Sequence, residues 1–352
     1  MLKKVKSRVS GGAIENVKRA LKNLGDYLKS VRQTMQGLYT GPGEDSFKSD
    51  KEIKLNAIVN GTFEWEGQND LGAIRARSFE QWQKELLERQ ASRQELGGIP
   101  ELQKINFNGE RPITLALIGD VHAGSDTCDY ELFGATIELV KNHPDVKAVL
   151  MGDLIDAFFW NQALQGDMLN HNEQLAYMQS ALDSIQGQIV GAFKGNHERW
   201  SEKSTVSPLY YKWIETYKSP YFDGKGILQM NFPNVRYNLE GSHRFPGNSM
   251  YNDNHPQMRE ARFGQQGLDI YVSAHTHKKS YHSQFVNVAG ERLQQHYINV
   301  GTFKGHDGYG ADMGYDPLRN DQLGAVFITL NPDNRDVDVD LSLQQVFNRL
   351  DL

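Results

Sequence analysis

Hydrophobic and polar positions divide the chain into three regions. In residues 1–41, apolar residues recur at helical spacing on both sides of a Gly-Asp pair, which predicts two short helices joined by a tight turn. We predict a connector over residues 42–110, because the stretch from 41 to 77 is rich in Gly, Asp, Glu and Asn. Within this connector we predict a short strand at 55–59 and a helix at 78–96.

The third region, residues 111–352, alternates strand patterns with helix patterns. The run at 113–118 is apolar apart from Thr114, which is typical of a strand buried on both faces. Helices predicted at 130–141 and 169–185 separate this run from further strands, which are predicted at 146–151, 189–193, 227–231, 235–239, 269–273, 284–288, 295–300 and 325–330. Strand-helix-strand repetition predicts a parallel sheet in an α/β fold. Two packed sheets with helices outside them would accommodate these strands.

Composition narrows the class of protein. Of the 352 residues, 39% are hydrophobic and 23% are charged, which is ordinary for a folded soluble chain. No apolar run approaches the roughly 18 residues of a spanning helix, and the basic start lacks the apolar core of a secretory signal, so we expect a cytoplasmic protein with no membrane partner. The single cysteine, Cys128, excludes an internal disulfide and a thiolate zinc site.

Charge is distributed unevenly along the chain. Residues 1–41 carry nine Lys or Arg against two acidic residues, whereas the net charge of the whole chain is −6. This basic arm could bind an anionic partner such as nucleic acid or a membrane surface, or it could be a solvated helical face. Its two helices fit a DNA-binding helix-turn-helix and equally a helical hairpin that forms a homo-oligomer.

Polar clusters follow several of the predicted strands, each at the point where the strand ends. They are Gly119-Asp120-Val121-His122, Gly152-Asp153-Leu154-Ile155-Asp156, Gly195-Asn196-His197-Glu198 and Ala274-His275-Thr276-His277. In an open α/β sheet the loops at the carboxyl ends of the strands emerge on one edge, so these side chains should converge there. Carboxylate, imidazole and amide donors together suit manganese, iron or zinc.

In this order the clusters resemble the calcineurin-like metallophosphoesterases. The pattern of that family is Asp-x-His, Gly-Asp-x-x-Asp, Gly-Asn-His-Asp/Glu, an isolated His and Gly-His-x-His. The resemblance implies a four-layer α/β/β/α sandwich that holds two divalent metal ions, with manganese favoured over iron or zinc. It also implies a set of metal ligands: Asp120, His122 and His277 for one ion, Asn196 and His275 for the other, and Asp153 as a bridge between both.

Two departures from the family pattern bear on the site. Ala274 stands where the family usually has glycine, and the isolated histidine has no flanking motif. We assign it to His243, which follows a predicted strand and precedes His275 by 32 residues, with His255 as the alternative. By the same resemblance, His197 is a catalytic acid or phosphate ligand, and Asp156 orients it and keeps it protonated.

The leading hypothesis is a metal-dependent phosphodiester hydrolase, with DNA as its substrate and the basic arm as the recruiting element. In this family a hydroxide that bridges the two ions attacks phosphorus in line. Ala157 after the Gly-Asp-x-x-Asp motif, in place of an arginine, disfavours a protein phosphatase. The alternatives are a phosphomonoesterase, a cyclic-nucleotide phosphodiesterase, and a DNA-binding or assembly protein with a degenerate esterase scaffold.

Overall fold

The computed structural model describes residues 78–96, 101–157, 166–205, 208–306, 308 and 320–352. The basic arm and the strand predicted at 55–59 lie outside these residues, so their structure stays a prediction. The chain divides into two compact units, Met1–Phe79 with Asp351–Leu352 and Glu80–Leu350, and the fold below is that of the second unit. The boundaries at residues 41 and 110 likewise stay predictions.

Seven helices occur in the described part of the chain. They are α1 (Phe79–Leu96), α2 (Tyr130–Asn142), α3 (His171–Asp183), α4 (Asn196–Thr205), α5 (Leu209–Thr216), α6 (His255–Phe263) and α7 (Leu343–Arg349). Helix α3 begins with a capping box, in which the side chains of Asn170 and Glu173 satisfy each other's backbone N–H groups. None of these helices is long and apolar enough to cross a bilayer.

Twelve strands accompany the helices in the same residues. They are β1 (Leu102–Asn106), β2 (Ile113–Ile118), β3 (Val146–Leu150), β4 (Ile189–Phe193), β5 (Tyr221–Phe222), β6 (Gly226–Asn231), β7 (Arg236–Ser242), β8 (Ile270–Ser273), β9 (Ser280–Val288), β10 (Glu291–Asn299), β11 (Val326–Leu330) and β12 (Val337–Asp340).

The strands form two six-stranded sheets. Sheet I has the order β1-β6-β7-β8-β10-β9, and sheet II has the order β12-β11-β2-β3-β4-β5. Strands β2, β3 and β4 are parallel, as are β7, β8 and β10 in the other sheet. The predicted parallel pairing is therefore present at the centre of both sheets, while antiparallel partners occur at β9, β11 and β12.

Burial explains why β2 is apolar except at Thr114, whose hydroxyl hydrogen-bonds to that of Thr329 at 2.9 Å. Leu115 and Leu117 pack in a core that also contains residues of sheet I, such as Leu239 and Ile270. The alternate residues of β2 face helices α2, α3 and α7 in a second core. A third, smaller cluster lies between α6 and sheet I. Each large side chain buried in this way contributes about 1.5–3 kcal/mol to the stability of the fold. Helices and sheets thus pack as four layers in the order α/β/β/α, and the predicted fold class is confirmed.

The sequence patterns missed three of the four edge strands, β1, β5 and β12, and several short helices. Strand β1 alternates between exposed and half-buried positions and pairs in parallel with β6, so sheet I begins inside the predicted connector. Strand β12 alternates in a similar way at the edge of sheet II. An edge strand has a partner on one side alone and buries few apolar side chains, and its sequence then differs little from that of a loop.

Candidate metal centre

The predicted site residues lie at the carboxyl ends of five strands. Four of these ends are loops, which carry Asp120 and His122 after β2, Asp153 and Asp156 after β3, His243 after β7, and His275 and His277 after β8. Asn196 and His197, after β4, are the first two residues of α4. The backbone N–H of His275 donates to Asp120 Oδ2 at 2.7 Å, which joins the loop after β8 in sheet I to the loop after β2 in sheet II. The loops of the two sheets therefore meet at one edge.

Asp120, His122 and His277 form what we call the first cluster. His122 Nε2 lies 3.1 Å from His277 Nε2 and 3.8 Å from Asp120 Oδ1, and His277 Nε2 lies 3.6 Å from the same oxygen. Asp120 is fully buried, yet its Oδ1 atom accepts no hydrogen bond from the residues that the structure describes. A buried carboxylate oxygen without a donor, facing two imidazole nitrogens, fits a cation.

Asp153, Asn196, His243 and His275 form the second cluster. His243 Nε2 lies 3.0 Å from Asp153 Oδ2, 3.1 Å from Asn196 Oδ1 and 3.2 Å from His275 Nδ1. Donor atoms from three loops and from the first residue of α4 therefore lie close together. His255, the alternative to His243, is the first residue of α6 and is absent from every group of metal-binding side chains found in the described residues.

The outer ring nitrogens of two histidines are held by oxygens. His122 Nδ1 donates to Asp156 Oδ1 at 2.9 Å, and His243 Nδ1 donates to the Met151 carbonyl at 2.8 Å. Since each Nδ1 carries the proton of its hydrogen bond, each Nε2 can offer a lone pair to a metal ion. The tautomers of both rings thus suit metal ligation.

The backbone of the site is held in an unusual conformation. Asp120, His122, Asp153, His275 and His277 all have φ between 49° and 71°, the left-handed region that side chains other than glycine rarely adopt. Such conformations cost roughly 1–3 kcal/mol each and persist where the surrounding structure imposes them, most often at functional sites. Here they turn the side chains of five predicted ligands toward the same edge.

Glycine is required where two of the loops come closest. A Cβ atom on Gly195 would lie 2.1 Å from Asp153 Oδ1 and 2.3 Å from the backbone nitrogen of the same residue. Gly152 has φ of +84°, and its Cβ would lie 2.4 Å from the nitrogen of Gly195. Only glycine at both positions allows the loops after β3 and β4 to pack closely enough to place Asp153 beside Asn196.

Opposite charges stabilise each other in the metal-free site. Burial opposes ionisation of Asp120 and Asp153, but neighbouring histidines outweigh it and hold both carboxyl pKa values below their usual range. Burial likewise opposes protonation of His122 and His243, yet the carboxylates beside them raise the pKa of His122 to about 9 and that of His243 to about 10. These protons occupy the place that a divalent cation would take.

The predicted relation between Asp156 and His197 needs correction. His197 Nδ1 hydrogen-bonds to the main-chain oxygen of Asp156, whereas the Asp156 carboxylate contacts His122 and Lys304. Burial lowers the pKa of His197 to about 4, with Asp153 opposing that shift, so Asp156 does not keep this imidazole protonated in the metal-free protein. Its Nε2 atom lies 3.7 Å from Asp153 Oδ2.

Glu198, the last residue of its motif, has a role that the sequence analysis did not assign. Its carboxylate accepts hydrogen bonds from the backbone N–H groups of Gly195 at 2.9 Å, Asp153 at 2.8 Å and Leu154 at 2.7 Å. One buried side chain therefore fastens the loop after β3 to the loop after β4. Burial and the charge of Asp153 raise the pKa of Glu198 to about 7.

Comparison with solved structures finds several similar chains. A metallophosphoesterase from Sphaerobacter thermophilus is 14% identical, and the match covers 68% of this chain and 95% of that chain at a TM-score of 0.33. Vacuolar protein sorting 29 from Cryptosporidium parvum is 11% identical, with coverages of 65% and 97% and a TM-score of 0.30. A protein serine/threonine phosphatase from Saccharomyces cerevisiae is 11% identical, with coverages of 83% and 95% and a TM-score of 0.34. Comparison with curated protein sequences finds no match.

The sequence model of the calcineurin-like phosphoesterases matches residues 113–279. The matched stretch begins with β2 and ends after His277, so it contains both clusters together with His197 and Glu198. The family predicted from the motifs is therefore confirmed. With its predicted ligands at one edge of an α/β/β/α sandwich, the matched stretch is a calcineurin-like phosphoesterase domain, and this chain is a metal-dependent phosphoesterase.

Proposed function

We propose that the protein is a phosphodiesterase that uses two divalent metal ions and cleaves DNA. The observation that carries the proposal is the position of the two clusters beside each other, with His197 next to both. The His197 ring lies 4.5 Å from the His122 ring of the first cluster, and its Nε2 lies 3.7 Å from Asp153 of the second. One phosphate could therefore contact both clusters and His197 together.

Most of these residues would hold metal ions, whereas His197 would act on the phosphate. When bound, two divalent ions supply an activated water and neutralise the charge that develops on the phosphate oxygens. Asp120, His122 and His277 would hold one ion, and Asn196, His243 and His275 the other, with Asp153 between them. His197 is fixed through Nδ1 by the Asp156 carbonyl, so Nε2 of the neutral ring carries a lone pair and can accept a proton. Nε2 becomes a donor to the phosphate or to the leaving oxygen once a bound phosphate anion favours the protonated ring.

Charge supports a polyanionic substrate. Arg244 and Lys278 directly follow the predicted ligands His243 and His277, and both are exposed, with Lys278 Nζ 3.4 Å from Asp253 Oδ1. The basic arm at residues 1–41 adds a second group of cations. Oxygen and nitrogen donors together favour manganese as the metal. The cytoplasmic location and the homo-oligomer stay predictions made from the sequence.

The test compares three substrates with one preparation of the full chain. Turnover of p-nitrophenyl phosphate, bis-p-nitrophenyl phosphate and linear DNA is measured with Mn²⁺ and after chelation. We expect metal-dependent cleavage of the diester and of DNA, with the monoester the poorest substrate. Asp153→Asn, which removes a negative charge from between two cations, should abolish this cleavage.

Other outcomes would favour the alternatives. Cleavage of the monoester alone would replace the proposal with a phosphomonoesterase, and cleavage of cyclic nucleotides without DNA would indicate a cyclic-nucleotide phosphodiesterase. A protein that binds DNA but turns over none of these substrates would be the assembly protein with a degenerate esterase scaffold.

A further inference from the structure

Lys304 lies outside the family motifs and is buried beside the site. It follows β10, its exposed fraction is 6%, and its Nζ lies 2.9 Å from Asp156 Oδ1. A lysine is rarely buried to this extent unless its ammonium group is paired. The pair therefore needs an explanation in terms of what Asp156 does.

The backbone around Lys304 is tied to the loop that carries Asp120. The Thr302 hydroxyl donates to the main-chain oxygen of Asp120 at 2.7 Å, and the Phe303 N–H donates to the same oxygen at 3.0 Å. The Lys304 N–H in turn donates to the Thr302 hydroxyl at 2.9 Å, and Lys304 forms an isolated β-bridge with Cys128. The Cα of Lys304 is thus fixed relative to the first cluster.

The oxygen that contacts Lys304 also contacts a predicted metal ligand. Asp156 Oδ1 accepts from Lys304 Nζ and from His122 Nδ1, both at 2.9 Å. His122 then presents Nε2 to the first cluster, 3.1 Å from His277 Nε2. A continuous line of contacts leads from Lys304 through the Asp156 carboxylate to the metal-facing nitrogen of His122.

We propose that Lys304 is a positioning residue for the metal ion held by the first cluster. Its ammonium group fixes the rotamer of Asp156, and Asp156 in turn fixes the orientation and tautomer of His122. Partners of this kind, which hold a ligand without touching the metal, typically contribute about 10- to 100-fold in metal affinity. The inference rests on the proposed two-metal function.

The test is a titration of the full chain with Mn²⁺, in which the electron paramagnetic resonance signal reports free Mn²⁺. The wild type should bind two ions. Lys304→Met should bind one of them about 10- to 100-fold more weakly and keep the affinity of the other, because the second cluster does not contact Asp156. We expect the same loss of affinity in Lys304→Leu, so the titration can still be done if one of the two variants fails to fold.

A variant of an exposed lysine in another ion pair serves as the control, and a double variant distinguishes positioning from general destabilisation. Lys225 pairs with Glu240 and Glu260 in an ion pair away from both clusters, and Lys225→Met should bind Mn²⁺ as the wild type does. Asp156→Asn should weaken the same ion as Lys304→Met. Because Lys304 acts through Asp156, the double variant should bind that ion no more weakly than Asp156→Asn alone.

The outcomes separate this inference from the proposed function. If the wild type binds fewer than two Mn²⁺ ions, the two-metal function itself fails. If the wild type binds two ions and the Lys304 variants bind both with unchanged or higher affinity, only the role of Lys304 is overturned. Equal weakening of both ions, or additive losses in the double variant, would also overturn it, since Lys304 would then have a merely structural role.

Discussion

At the scale of single residues, His197 is the side chain placed to act on a substrate without being a predicted metal ligand. Its Nδ1 contacts a main-chain oxygen, its ring lies 4.3 Å from the ring of Trp200, and its Nε2 faces Asp153. The ring therefore presents its Nε2 edge to the two clusters. This arrangement leads to a prediction that separates catalysis from metal binding.

His197→Ala should leave both metal ions bound and lower the turnover of a diester by about 10²- to 10⁴-fold, the range for loss of a general acid or base. His255→Ala is the matched control, because His255 lies in neither cluster, and it should change neither metal content nor turnover. Elemental analysis and steady-state kinetics on the same samples give both readouts. Unchanged turnover in His197→Ala on a diester with a poor leaving group would remove this residue from the mechanism.

Glu198 supports the site without facing it, so its replacement should affect stability first. In Glu198→Gln an amide group replaces one of the two oxygens that accept backbone N–H groups, leaving at least one buried donor unsatisfied. We expect a loss of about 1–3 kcal/mol in the free energy of unfolding, measured by urea denaturation.

The control for this variant is Glu215→Gln on α5. Glu215 is exposed and accepts one hydrogen bond from the Tyr211 hydroxyl, so its replacement should change stability by less than about 0.5 kcal/mol. Equal stability of Glu198→Gln and the wild type would mean that the three backbone contacts do not hold the loops together.

At the scale of elements, the ends of the parallel strands bring carboxylates close to histidines. His122 follows β2 of sheet II and His243 follows β7 of sheet I, so protonation of these two residues stabilises the junction between the sheets. Their pKa values rise from about 6.5 in the unfolded chain to about 9 and about 10. The metal-free protein should therefore show a distinctive dependence of stability on pH.

The direction in which stability changes with pH follows from the difference in proton binding between the folded and the unfolded chain. A raised pKa contributes stability that is fully present below about pH 6.5 and is lost as pH rises through about 9 to 10. Urea denaturation of the chelated protein between pH 6.5 and 8.5 should thus show a falling free energy of unfolding. The protein loaded with Mn²⁺ should show a shallower fall, because the cation replaces these protons.

Two variants test whether the histidines of the metal centre cause this dependence of stability on pH. His243→Ala should flatten the fall in the chelated protein, whereas His282→Ala, at an exposed position on β9, should leave it unchanged. If the chelated and the loaded protein have the same slope, the raised histidine pKa values do not stabilise the folded state.

At the scale of the whole molecule, the basic arm and the catalytic unit are separate stretches of sequence, and this separation makes the arm removable. Deleting residues 1–41 should raise the apparent KM for long DNA and reduce the slope of log K against log salt by about one for each phosphate that the arm neutralises. Turnover of a small diester should not change, because that substrate needs the metal centre alone. Kinetics at several salt concentrations test the prediction.

The helical-hairpin hypothesis predicts a different result for the same deletion. Loss of the hairpin would change the assembly size in analytical ultracentrifugation and leave the salt slope as it was. Equal DNA affinity of the truncated and the full chain at every salt concentration would rule out recruitment by the arm, and its lysines and arginines would then belong to a solvated helical face.

Local pattern was enough to predict the central strands and the kind of chemistry. The strand Ile113–Ile118 is apolar apart from Thr114 because both of its faces are buried, and each motif follows directly after its strand. Both signals are therefore local in sequence. The choice of His243 over His255 as a ligand candidate was also available, since His243 follows a strand pattern. These features depend on a few neighbouring residues, and a sequence displays them directly.

Tertiary structure decided which side chains support the ligands. Asp156 contacts His122, 34 residues away, and Lys304, 148 residues away, while its expected carboxylate contact with His197 is replaced by a main-chain contact. Such partners depend on how two sheets pack and on left-handed backbone at the loop ends, which no periodicity encodes. The sequence alone determined the types of ligand and the edge where they meet, and the packing of the two sheets determined their partners because those contacts join residues far apart in the chain.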